Sequence, residues 1–217
     1  MLGYTAYLSG ATMMPRGMGA FISTILYGAL SNRINGKVFV AIGLSVIAIS
    51  GFSLGMLNLQ ISNLNIVLPN IFMGFGMGFS MIPLITMSVE TLSNSQMTNA
   101  SGIQNLLKNI GAAIGTSLVA TMLTRFSQIH QHYLVDNLSA LNINYIDRFN
   151  ATSIALSKYT SLDMASNLAN YSLYASLIKQ STLLAFMDSF RIFAMFSLFV
   201  IPFLFLVITK SGRKYKK

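Results

Sequence analysis

The stretch VFVAIGLSVIAISGFSLGMLNLQISNLNIVLPNIFMGFGMGFSMIPLITMSV, residues 38–89, contains no Asp, Glu, Lys or Arg. A transmembrane helix needs about 20 mostly apolar residues. The stretch holds two such runs, 38–57 and 65–88, joined by the uncharged connection NLQISNL at 58–64. Three further runs of the same kind occupy 6–30, 102–124 and 189–209. A single soluble core hides one such helix, but five in series leave too little polar surface to cover them. The whole composition agrees: 53% of the residues are hydrophobic and 9% charged, where a soluble domain carries about 25% charged residues, and the mean hydropathy is +0.62. These values predict an all-α integral membrane protein with five transmembrane helices and exclude a soluble globular domain.

The net charge of +9 invites a nucleic-acid reading, but the charge is concentrated. Lys210, Arg213, Lys214, Lys216 and Lys217 follow directly on the last apolar run, where each base adds about 1 kcal/mol of attraction to anionic lipid. The partner of this charge is therefore the bilayer surface, with no nucleic acid implied. By the positive-inside rule the tail 210–217 lies in the cytoplasm, and five spans then put the N-terminus outside. The connection SNRINGK at 31–37 is four spans from the tail and must share its side; its Arg33 and Lys37 agree. The opening LGYTAYLSG has no basic flank before it, so the first span is expected to serve as its own insertion signal. With no cysteine there is no disulfide framework and no thiolate metal site.

The segment 125–188 breaks the rhythm of spans. It carries Arg125, Arg148, Lys158 and Lys179 against Asp136, Asp147 and Asp163, and is rich in Asn, Ser and Tyr. It reads as a long extracytoplasmic loop with short helices, in part because Leu162, Ala165, Leu168 and Ala169 fall at helical spacing. A sixth span within 165–187 is the rival reading, opposed by Lys179 and the many Asn and Ser residues.

Few charged or polar residues fall inside the apolar runs. Arg16, in MMPRGMG, lies several residues inside the first run, about 12 Å from its outer end near Leu8. An arginine at such depth costs about 2.5–3.5 kcal/mol and is expected to face a cavity or a protein interior; snorkelling from a span that starts later is the alternative. Pro15 and Gly17 favour the first reading, since both weaken the local helix and free carbonyls near the guanidinium. The third run holds Gly74, Gly76, Gly78 and Pro83, read as helix packing or as a cavity-lining kink. In the fourth, Asn105 and Lys108 are cavity candidates, with snorkelling open for Lys108, and Gly111 and Gly115 form a G-x-x-x-G packing face. At the start of the last run Asp188 stands three residues before Arg191. A local ion pair, an acid at a helix N-terminus and a gating pair all remain open there. His130 and His132, in QIHQHY, read as solvated, because no other metal-ligand candidate is close in sequence. No nucleophile elbow, zinc-protease or phosphate-loop signature is present, so an enzyme is not expected.

Taken in order, these segments resemble the C-terminal part of a major facilitator superfamily permease, most of all the 14-helix drug:proton antiporters of the EmrB/QacA type. The opening LGYTAYLSGATMMPRGMGAF, the loop GALSNRINGKVF with Gly28, Leu30 and Arg33 of a G-x-L-x-D-R motif, NLLKNIGAAIGTSL and LLAFMDSFRIFAMF carry the resemblance. Asn32 stands where the motif has Asp, so the acid of the motif's charge relay is not present at this position. The resemblance implies most of the second half of a two-half permease, and hence missing N-terminal helices as partner. It further implies proton-coupled multidrug efflux by alternating access across a bacterial inner membrane. The substrates would be lipophilic small molecules, and the proton gradient would take the place of any cofactor. A membrane-fusion adaptor with an outer-membrane channel would be a further partner. The alternatives are a permease for a specific metabolite or siderophore, and a non-transporting membrane interaction protein. Since none of the five acids lies deep in a span, the coupling acid is expected in the missing helices.

Overall fold

The computed structural model describes residues 6–56, 63–90, 92–139 and 142–209. They form six α-helices, with no strand among them: α1 (Ala6–Leu30), α2 (Gly36–Leu54), α3 (Asn63–Val89), α4 (Asn94–Val135), α5 (Ile143–Ser157) and α6 (Leu162–Thr209), with a 3-10 turn at Asp136–Leu138. The chain is an all-α membrane protein. Among the described residues, four helical segments are long and apolar enough to cross a bilayer, at Gly36–Leu54, Asn65–Val89, Ser95–Leu138 and Leu162–Leu206. The expected fifth, α1, has the length at 25 residues. It is not among the four, because Pro15, Arg16 and several Gly, Ser and Thr residues dilute its apolar character. The basic tail and the centre of the 58–64 connection lie outside the described residues.

The chain divides into two compact units, one of Leu2–Ser117 with Ser189–Lys217, the other essentially Leu118–Asp188. In the first unit α3 packs against both α1 and α2. Small residues make this approach possible. A Cβ on Gly43 would stand 2.7 Å from the Gly76 carbonyl oxygen, and one on Gly76 would stand 2.6 Å from the Gly43 carbonyl oxygen. On the other side of α3, Cβ atoms on Gly74 and Gly78 would overlap the Arg16 carbonyl and the Ser23 hydroxyl. Phe39 and Phe79 fill the space beside the glycines edge to face at 5.3 Å, flanked by Tyr27 and Phe75. Serines inside these helices satisfy themselves: Ser23 donates to the Ala20 carbonyl, Ser50 to Val46 and Ser80 to Gly76. They therefore enter an apolar layer without an orphaned hydroxyl. α2 starts where the Asn35 side chain accepts from the Lys37 N–H, an N-cap that fits its residue type.

The second unit contains the end of α4, the 3-10 turn, α5 and the beginning of α6. Here the structure differs from the loop with short helices expected over 125–188. α5 is such a short helix, but residues 125–135 and 162–188 belong to helices of 42 and 48 residues, and neither 124/125 nor 188/189 is a break. The physical reason lies in composition. Between Gly115 and Pro202 the chain has no glycine and no proline, so polarity changes at those positions while helix propensity does not. A helix of α6's length extends about 72 Å, more than twice the roughly 30 Å of a hydrocarbon core. The segment 165–187 is thus part of α6 and not a separate sixth helix. Along it Ala165, Ala169, Leu177, Ser181 and Ala185 are buried, spaced by four or eight residues, whereas Leu162 and Leu168 are exposed.

Candidate functional site

Two places bring charged side chains into packed surroundings. The first is the crossing of α1 and α3. Gly74 lies against the backbone of Arg16, and Gly19 lies against Ile71, so the two helices meet nearly backbone to backbone. This fixes the Arg16 backbone; the residue as a whole is half-buried, and its guanidinium Nη2 donates to the Met77 sulfur at 3.0 Å in an exposed hydrogen bond. A thioether is a weak acceptor, and no acid pairs with Arg16 among the described residues. The helix runs through Pro15 and Gly17 without interruption.

The second place lies in the other unit. His130 of α4 and Asp188 of α6, 58 residues apart, meet at 2.7 Å between Nε2 and Oδ2, with side chains 25% and 32% exposed. This corrects the solvated reading of His130. It also gives Asp188 a partner on another helix, beyond its neighbour Arg191 on α6. Close by, Gln131 donates to the Tyr174 hydroxyl at 2.8 Å, and the Tyr145 hydroxyl donates to Asn170 at 2.7 Å. His132 is exposed, and no cluster of three metal-ligand side chains occurs among the described residues. The same unit has a cavity of about 400 Å³ lined by Leu134, Asn142, Tyr145, Arg148, Leu177 and Gln180 among others. Histidine at one helix end and aspartate near the middle of another are far apart in sequence. The available signal was the helical continuity of 116–201, which carries both past the ends of their apolar runs.

The other candidates are placed as follows. Asn105 and Lys108 are exposed on α4, whose span has no buried residue. A Cβ on Gly111 or Gly115 would meet nothing within 4 Å, so their face has no partner helix among the described residues. Gly28 likewise faces open space, and Leu30 ends α1. Asn32 and Arg33 are exposed in the turn between α1 and α2. Gly74, Gly76 and Gly78 lie at helix contacts, and Pro83 is fully buried within α3.

Two helices packed through glycines against α3, and four segments able to span a bilayer among the described residues, describe a polytopic helical membrane protein. The Major Facilitator Superfamily profile matches residues 1–116, more than half of the chain. The chain belongs to the Major Facilitator Superfamily. It is 26% identical over its full length to an uncharacterized MFS-type transporter, YhcA, of Bacillus subtilis, covering 42% of that protein. It is 26% identical to the probable multidrug resistance protein EmrY of Escherichia coli over 73% of this chain and 30% of the relative. To a multidrug resistance protein B homolog of Mycobacterium tuberculosis it is 33% identical over 54% of this chain and 22% of the relative. The chain thus spans less than half the length of these relatives. No solved structure matches it.

Proposed function

We propose that this chain forms part of a proton-coupled multidrug efflux transporter of a bacterial inner membrane. It would act by alternating access together with helices corresponding to the rest of the longer relatives. The observation that carries the reading is Arg16, held at a glycine-packed crossing of two helices with a thioether as its side-chain partner and no acid paired with it among the described residues. A guanidinium in that position is suited to an anionic group supplied from across a central cavity, where it would lower the pKa of a facing acid. The relatives named for multidrug resistance support the substrate class, lipophilic small molecules, and the energy source is the proton gradient without a cofactor. Asn105 and Lys108, on the uncovered span of α4, are the further cavity candidates. In this reading the N-terminus is outside, the 31–35 turn and the basic tail are cytoplasmic, and an adaptor with an outer channel is a further partner.

The experiment is dye efflux in cells expressing the chain alone, the chain together with the N-terminal part of a full-length relative's type, and that pair with Arg16→Ala. Gradient-dependent efflux is expected only for the unmodified pair. Efflux by the chain alone would overturn the half-transporter reading. An active Arg16→Ala pair would remove the role given to Arg16, and a folded but silent pair would favour a non-transporting interaction protein.

A further inference from the structure

We propose that the cavity lined by the end of α4, by α5 and by α6 binds a dissolved amphipathic monoanion, an ionised carboxylate carrying a medium-length alkyl chain. Its volume of about 400 Å³ lies at the small end of the roughly 300–1,000 Å³ of ligand pockets. The apolar lining comes in two pairs, each spaced by four residues: Leu134 and Leu138 from the end of α4 and the turn after it, Leu173 and Leu177 from α6. Residues at that spacing share a helical face, so an alkyl chain has leucine contacts from two elements.

The charged lining comes from α5. Arg148 is the one charged residue among those lining the cavity, and no ion pair or side-chain hydrogen bond engages its guanidinium among the described residues. Asp147, its neighbour in sequence, neither lines the cavity nor pairs with it. The side-chain amides of Asn144 and Gln180 also line the cavity without a partner among the described residues. The remaining polar groups are engaged: Asn142 donates to the Asn137 carbonyl, Tyr145 to Asn170 and Ser176 to the Ser172 carbonyl. The donors left for a ligand are thus one cation and two amides. A guanidinium takes a carboxylate through two parallel N–H···O bonds, and a single cation matches a single negative charge.

Position decides whether the anion belongs to a bilayer lipid or to a dissolved molecule. Leu134 lies ten residues past the apolar run 102–124, and Gln180 nine residues before the run 189–209. At about 1.5 Å per residue these are roughly 13–15 Å of helix, whereas the headgroup layer beside the hydrocarbon is only about 5–8 Å thick. The head of a bilayer lipid therefore stops short of the cavity. The site is independent of what the protein transports.

The test uses the full chain in discs of zwitterionic phosphatidylcholine. The sequence has no cysteine, so Ser176→Cys places a single thiol at an exposed position of the cavity wall, and Ala155→Cys, exposed on α5 outside the lining, is the control. Alkylation by uncharged N-ethylmaleimide is timed with and without decanoate. At about ten times its dissociation constant, decanoate should slow the reaction of Ser176→Cys about tenfold and leave that of Ala155→Cys unchanged. Decanol lacks the charge and acetate the chain, and both should protect far less. In Arg148→Gln the dissociation constant of decanoate should rise at least about tenfold, with an unchanged rate at Ala155→Cys showing that α5 is intact. Absence of protection by decanoate, equal protection by decanol, equal protection at both cysteines, or unchanged decanoate binding in Arg148→Gln overturns the proposal. Protection without decanoate in discs containing phosphatidylglycerol would give the site to a lipid head and overturns it as well.

Discussion

Arg16 and the three glycines of α3 show how one residue position decides whether helices can touch. Gly74 and Gly78 lie four apart and open the face of α3 toward α1; Gly76, between them, opens the opposite side toward α2. Serving two neighbours at once requires small residues on both faces, and a side chain at either has backbone in its way. Gly76→Leu and Gly43→Leu are therefore expected to destabilise the purified chain by about 1–3 kcal/mol, the cost of overpacking. Gly17→Ala, at a helical position with nothing within 4 Å, is expected to be neutral or to stabilise by up to about 1 kcal/mol through helix propensity. Thermal unfolding in one detergent measures all three, and equal melting shifts for Gly76→Leu and Gly17→Ala would contradict the packing argument. The importance of this glycine run was legible in the sequence; which glycine meets which helix was not, because a three-residue pattern does not name its neighbours.

At the scale of elements, α1 is the exception and α6 the surprise. α1 contacts α3 along its length yet falls outside the four segments apolar enough to span by composition. An arginine inside a span is tolerated when it faces protein, and the backbone contact with Gly74 gives it that neighbour. We expect α1 to cross the bilayer. Single cysteines at Tyr7 and Tyr159 should react with an impermeant thiol reagent from outside the cell, and one at Ser31 only after the membrane is opened. Labelling of Tyr7 and Ser31 from the same side would remove α1 as a span and reverse the proposed orientation. α6 runs on through the position where a loop was expected to end, since the polar residues of 162–188 are nearly all compatible with a helix. Hydropathy marks where a helix leaves the lipid and says nothing about where the helix ends.

For the whole molecule, the open face of α4 is the telling feature. Its span has no buried residue, and Gly111 and Gly115 stand clear of every described atom. A membrane helix can present such a face to lipid, but a G-x-x-x-G pair is suited to close approach by another helix. In the two-part transporter proposed above, Gly111→Leu should leave the stability of the chain alone within about 0.5 kcal/mol and abolish its co-purification with the N-terminal part. Retained co-purification would show that the two parts meet elsewhere.

The amino-acid sequence by itself determined the class of this protein. Five mostly apolar runs near twenty residues in series cannot be covered by one soluble core, the small residues in 74–78 allow close helices, and the ordered motifs point to a superfamily whose profile indeed matches residues 1–116. These properties are local or compositional, so they survive without knowledge of the fold. Only the tertiary structure decided which groups meet. It placed Gly74 under the Arg16 backbone across 58 residues and Gly76 against Gly43 across 33. It also brought His130 to Asp188, where the linear order had offered a pair with Arg191 as one of several readings and left the histidine to solvent. The reason is geometric: helix propensity and hydropathy set the length of each rod, but the rotation of one rod against another depends on every contact along both.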